Sequence, residues 1–191
     1  MNSSPDSQKA RQTVDYLTKQ DIDIDILVPQ LPTDPEEAVH SLTSITATAV
    51  KERPVYIIGS SLGGYLGTWL HQYLLSMGYN HPVRLVMINP AAHAYDLLEQ
   101  FIGPQVNLYT GEQWELTHKH AEQLKELDVD ILKSKKSILL LVQMGDEVLD
   151  YRLAEKKYNK CRLVIQEGGN HSFTGYEYML PDIFQFLTTH E

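Results

Sequence analysis

The chain has 191 residues and a formal net charge of −9, which suits one domain with a continuous core and argues against a nucleic-acid-binding surface. Its longest apolar runs, such as Ile138 to Val142, fall far short of a bilayer span. A single cysteine cannot close an internal disulfide, and the polar start Met1-Asn2-Ser3-Ser4-Pro5 has no signal-peptide core, so the expected setting is the cytoplasm, with neither membrane nor nucleic acid as partner.

Strand and helix patterns alternate along the chain with no internal repeat. A first helix is expected from Asp6 to Lys19, then a strand from Ile22 to Val28 that stops at Pro29. Asp34 in the capping position and Pro35 just inside open a second helix that runs to about Val50. Val55 to Ile58 reads as a buried strand, and a helix from Leu62 to Met77 follows, with Leu62, Tyr65, Leu66, Trp69, Leu70 and Tyr73 on one stripe and Gly78 at its end. Val83 to Ile88 is another continuous apolar strand, closed by Asn89-Pro90.

The stretch from about His93 to Leu132 is long for a crossover and contains one expected helix, Thr117 to Leu127. It reads either as an insertion over the edge of the sheet, a cap, or as an ordinary long connection. Lys133, Lys135 and Lys136 look like a solvated approach to the strand Ile138 to Val142. A helix from Leu149 to Tyr158, a strand from Leu163 to Ile165 and a last helix from Tyr176 to Thr188, kinked or split by Pro181, complete the pattern. Cys161 opens an apolar strand pattern and reads as packing. Strands that are apolar throughout need both faces covered, so the expected architecture is α/β, with a mostly parallel sheet between helical layers.

Gly59-Ser60-Ser61-Leu62-Gly63 joins a buried strand to a helix, the setting of the nucleophile elbow in α/β-hydrolases. A sharp turn there strains the middle serine, and glycines at 59 and 63 are expected to let the flanking segments pass closely. Ser60 reads as a small packing residue. A serine hydroxyl needs a base within hydrogen-bond reach and a third group to orient that base. Asp146 and His171 follow in the required order, each on a glycine-containing loop after an apolar strand. Ser61, Asp146 and His171 are therefore the expected catalytic triad, with the backbone N–H of Leu62 as one oxyanion donor.

Glu147 and Asp150 are alternative acids. His93 is either a pocket-lining or a structural histidine. His118 and His120 are two apart on a helical segment, a poor metal pair, and no carboxylate spacing suggests a metal site; no cofactor is implied. Tyr65, Tyr95, Phe101, Tyr109 and Trp114 are candidates for an apolar acyl pocket or for plain packing.

Val28-Pro29-Gln30-Leu31-Pro32, Gly59 to Tyr65, Asn89-Pro90-Ala91, Tyr109-Thr110-Gly111, Gly145 to Tyr151 and Glu167 to His171, taken in order, closely resemble the YqiA-like esterases, small bacterial α/β-hydrolases. The resemblance spans nearly the whole chain. It implies a single α/β-hydrolase domain with carboxylesterase activity on short-chain esters or acyl-CoA thioesters, and the same three site residues. Members of that family carry an apolar strand and a His-Gly-Phe turn just before the segment matching Asn2-Ser3-Ser4-Pro5, where this chain has only Met1. The resemblance thus implies a sheet lacking its first central strand, and with it the loop that supplies the second oxyanion donor. An acyltransferase and a non-catalytic ligand-binding protein are the rival functions.

Overall fold

The computed structural model describes residues 4–107 and 110–189. Its main sheet has four parallel strands in the order β1-β2-β5-β6: β1 (Val55–Ser60), β2 (Val83–Ile88), β5 (Ile138–Gln143) and β6 (Arg162–Gln166). All six residues of β5 are buried, as the unbroken apolar run requires of a central strand. Alternation along β2 and β5 divides the core. Val86, Ile88, Leu139 and Leu141 point to one face, where Tyr176, Leu180, Ile183 and Phe186 of α8 (Tyr176–Thr188) cover them. Leu85, Met87, Ile138, Leu140 and Val142 point to the other, against Ala154 of α7 (Tyr151–Lys157) and the adjoining Tyr158.

Helix α1 (Gln8–Leu17), capped by Ser7, lies on α8 through Thr13 Oγ1 and Tyr176 OH at 2.8 Å and an edge-on contact of Tyr16 with Phe184. Helix α4 (Leu62–Ser76) packs so closely on the opposite face that a Cβ at Gly67 would lie 3.1 Å from Leu85. Pro181 does not split α8, which runs unbroken from Tyr176 to Thr188. It sits on the exposed side, so the carbonyl four residues earlier, at exposed Glu177, is open to water.

Three expectations need correction. Residues 22–28 form no strand: the outer edge of β1 carries no partner among the described residues, and an extended segment without a ladder leaves its backbone to water. Leu27 is 67% exposed, and an ion pair from Arg53 to Asp25 tethers the segment instead. The helix expected from Asp34 to Val50 divides into α2 (Pro35–Thr46) and α3 (Ala49–Glu52). Thr43 and Thr46 donate to carbonyls at 40, 42 and 43, a back-bonding that competes with helix propagation. The 93–132 segment holds more than one helix. It contains α5 (Ala94–Leu98), an antiparallel pair formed by β3 (Gly103–Val106) and β4 (Gln113–Leu116), and α6 (His118–Glu126) capped by Thr117.

That segment is anchored to the core by polar contacts. Gln123 donates to the Asp34 carboxylate that caps α2, and Tyr65 OH donates to Leu124 O at 2.6 Å. The Lys157 ammonium pairs with Asp128, donates to Ala92 O at 2.9 Å and lies over the Tyr65 ring. Both partners of this pair are nearly buried, at 11% and 13% exposure. Removing one charge strands the other, so Lys157→Met should cost about 3–5 kcal/mol in urea unfolding, and Lys157→Met with Asp128→Leu much less.

At the end of the sheet where β2 begins, fully buried His71 bridges Val83 O and Ser137 Oγ through Nε2, while Nδ1 faces the Gln72 amide. Burial holds its pKa down to about 4, well below the ordinary 6.5. The unfolded chain therefore takes up this proton first as pH falls. Stability is full above about pH 6.5 and declines between there and about pH 4, by about 3 kcal/mol from this group alone. In urea titrations across that window, the gap between wild type and the non-titrating His71→Asn should narrow by that amount.

Candidate active site

β1 ends at Ser60, α4 begins at Leu62, and Ser61 between them adopts φ 54° and ψ −123°, a left-handed conformation that costs a non-glycine residue about 1–3 kcal/mol. Neighbouring strand ends hold the turn: Ser61 N–H donates to Ile88 O at 3.1 Å, and Ser61 O accepts from Ala91 N–H at 3.1 Å. Close approach bears out Gly59 but moves the second position from Gly63 to Gly64. A Cβ at Gly59 would lie 2.2 Å from Gly63 O, and one at Gly64 2.7 Å from the Pro90 Cβ, whereas at Gly63 it would meet nothing within 4 Å. Gly59 and Gly64, not Gly63, are the positions where bulk is forbidden.

The structure brings the three expected residues into one line. His171 Nε2 lies 3.1 Å from Ser61 Oγ, and His171 Nδ1 lies 2.9 Å from Asp146 Oδ2 and 3.1 Å from Oδ1. The Asp146 side chain is 2% exposed, and Oδ1 also accepts from the Val148 and Leu149 N–H groups at 2.9 and 2.8 Å. The carboxylate is thereby kept hydrogen-bonded out of water. Leu62 is the first residue of α4, so its N–H has no acceptor within the helix and stands beside Ser61.

The rival acids have other tasks. Asp150 caps α7 by accepting from Arg152 N–H. Glu147 accepts the backbone N–H of His171 at 3.0 Å, and that bond holds its carboxyl below the usual carboxylate range. His93 precedes α5, with its ring edge-on to Tyr95. His120 Nδ1 accepts from Thr117 N–H as part of a capping box, and His118 faces Glu99, so the two histidines serve separate local contacts. Among the described residues no group of three metal-ligating side chains comes together. Tyr65, Tyr95 and Trp114 pack into one cluster with Leu62, Phe101 is half exposed, and Tyr109 lies outside the described residues.

Several supports of the histidine loop have no motif of their own. Gln143, 3% exposed at the end of β5, accepts from Asn170 N–H and Thr174 N–H and donates to Gln166 Oε1 and Thr174 O. Its one legible sign is a polar residue directly after a five-residue apolar strand. Lys9, from α1, donates to Ser172 O at 3.0 Å, its pKa lowered by burial and partly restored by the Asp146 charge.

A parallel sheet covered on both faces, with a strained strand-to-helix serine and the acid and histidine loops at the same strand ends, defines the α/β-hydrolase fold. The solved structures agree on that fold. A solved chain from LipS and LipT, two metagenome-derived lipolytic enzymes, aligns with a TM-score of 0.70 at 14% identity, covering 100% of this chain and 91% of that one. Est1E from Butyrivibrio proteoclasticus gives 0.65 at 14%, covering 97% and 83%. Mouse alpha/beta hydrolase domain-containing protein 10 gives 0.64 at 15%, covering 98% and 88%. The chain belongs to the uncharacterised protein family UPF0227, whose model matches residues 1–188; this is the YqiA-like family. No helix among the described residues is long and apolar enough to cross a membrane.

The glycine geometry sets an expected order of damage. Gly59→Ala drives a Cβ into backbone and should cost 3 kcal/mol or more in chemical denaturation, or prevent folding, whereas Gly63→Ala should stay within about 1 kcal/mol of wild type.

Proposed function

We propose that this chain is a serine hydrolase of carboxylic esters or acyl thioesters, acting through an acyl-enzyme on Ser61. The observation that carries the reading is the unbroken line from Ser61 Oγ through the His171 ring to the buried Asp146 carboxylate. Membership in the YqiA-like family and a fold shared with proteins named as esterases and lipolytic enzymes support it.

Ser61 Oγ attacks the acyl carbonyl carbon as its proton passes to His171 Nε2, and the carbonyl oxygen becomes an oxyanion. Asp146 holds Nδ1–H, so Nε2 carries the free lone pair, and its charge stabilises the imidazolium that forms. Leu62 N–H donates to the oxyanion at the positive end of α4. Collapse of the tetrahedral species breaks the bond to the alkoxide or thiolate, which takes the proton from Nε2. Water then attacks the acyl-Ser61 ester by the same proton relay and releases the carboxylic acid. The reaction runs on the chain's own side chains, with a small ester or thioester as its partner, in the cytoplasm. Tyr65, Tyr95 and Trp114 beside Leu62 give the acyl group an apolar flank.

A fluorophosphonate probe should label the wild-type chain and fail to label Ser61→Ala; equal labelling of both defeats the nucleophile assignment. Asp146→Asn should lower kcat for nitrophenyl esters about 10³–10⁴-fold with KM little changed. A chain-length panel of nitrophenyl esters and acyl-CoAs separates the ester from the thioester reading, and products formed with an added alcohol or thiol acceptor identify an acyltransferase. Acyl ligand binding to a folded chain that neither labels nor turns over marks a non-catalytic binder.

A further inference from the structure

The loop that carries His171 has no regular structure of its own, yet its ring nitrogen must stay within hydrogen-bond reach of a serine 110 positions away in sequence. Such a relation decays quickly with distance: a displacement of about 1 Å can cost about a hundredfold in rate. Something must fix the loop relative to the elbow. Asn89 touches both sides. It is 2% exposed and follows Ile88, whose carbonyl accepts the Ser61 N–H, and two residues later Ala91 N–H binds Ser61 O. Its backbone N–H continues the sheet to Leu141 O at 2.9 Å. Its side chain then leaves the sheet: Nδ2 donates to Asn170 O at 3.0 Å and to His171 O at 3.2 Å, and Oδ1 accepts Gln143 N–H at 2.9 Å.

We infer that Asn89 is a positioning residue for His171, a single buried amide that keys the nucleophile turn, the histidine loop and the end of β5 to one another. The chemistry excludes close substitutes. An aspartate keeps the acceptor for Gln143 N–H but sets a carboxylate oxygen against two carbonyl oxygens. Aliphatic side chains leave the buried Gln143 N–H and the part-buried Asn170 and His171 carbonyls without this partner. The backbone adds a further restriction: φ at Asn89 is 41°, a left-handed conformation that asparagine tolerates better than most residues. From that backbone the side-chain amide reaches the carbonyls of the loop. Glu147 on the His171 N–H and Lys9 on Ser172 O hold the same loop from other directions, so Asn89 acts within a cage. It is the member of that cage that leads back to Ser61.

The inference rests on the proposed roles of Ser61 and His171, and the test keeps the two separable. Asn89→Gly retains the left-handed backbone and removes the amide; Asn89→Asp has the same size and keeps the acceptor, so it carries the comparison if the glycine variant is unstable. Three quantities are measured on each folded variant: the rate of fluorophosphonate labelling, kcat and KM for a nitrophenyl ester, and the ¹⁵N spectrum of the His171 ring. The expected result is labelling and kcat reduced about 100-fold, KM within about twofold of wild type, and loss of the sharp Nδ1–H signal of the His171–Asp146 bond. Wild-type labelling and kcat in a folded variant overturn the inference, as does a loss confined to KM. If the wild type itself resists labelling, the Ser61 reading fails. The ring spectrum then decides alone: a signal lost in both variants supports positioning by Asn89, and an unchanged signal overturns it.

Discussion

A serine held at φ 54° is the constraint around which the molecule is organised. Left to itself, this backbone relaxes to an ordinary conformation, so the strain of the turn must be offset by contacts on every side of it. β1 and α4 supply the two arms; Gly59 lets those arms cross, and Gly64 lets Pro90 lie against the turn. The Ile88 carbonyl and Ala91 N–H, at the end of β2, grip the serine backbone itself. The strain thus rests on parallel pairing between β1 and β2, and that pairing rests on the covered sheet. A stable core is what makes a strained serine at this turn possible.

The acid and the histidine reach the site by the same topological route. Parallel strands all end on one edge, and the loops leaving β1, β2, β5 and β6 there carry Ser61, Asn89, Asp146 and His171. Each loop is then bound to its neighbour by side chains that satisfy backbone groups. Asn89 and Gln143 hold the histidine loop, Glu147 holds the His171 N–H, and the Val148 and Leu149 N–H groups fix Asp146. Where these groups are removed from water they are costly when unpaired, most of all at buried Asn89 and Gln143. The same network that satisfies them also orients the ring.

The segment from 93 to 132 is fastened by a different means. Its apolar side joins the cluster of Tyr65, Leu66 and Leu62 behind the elbow, while Lys157, Asp128 and Gln123 supply charged and polar anchors. An ion pair this deeply enclosed contributes little net stability over an apolar pair, but each charge depends on the other, which ties Asp128 of the segment to Lys157. That restraint acts on the ground beneath Leu62, whose N–H faces the reacting atoms in the proposed mechanism.

Much of this was legible in the residues themselves. Continuous apolar runs specify the strands, although only the central β5 is buried throughout while β1 and β6 stay partly exposed; helical stripes and the Asp34-Pro35 cap specify helices, and the glycine-bounded serine with an acid and a histidine in order marks the candidate site. These signals are local, and local chemistry decides them. What only the tertiary structure decided depends on partners distant in sequence. Residues 22–28 have the apolar content of a strand but no ladder to join, and Pro181 is tolerated because of the face it occupies. Gly64 outranks Gly63 because Pro90 lies against it. Asn89 and Gln143 resemble any polar residues at strand ends until folding brings residues 170 to 174 against their amides. A hydrogen bond across 81 positions leaves no period in a sequence, because its geometry exists only after the sheet has formed.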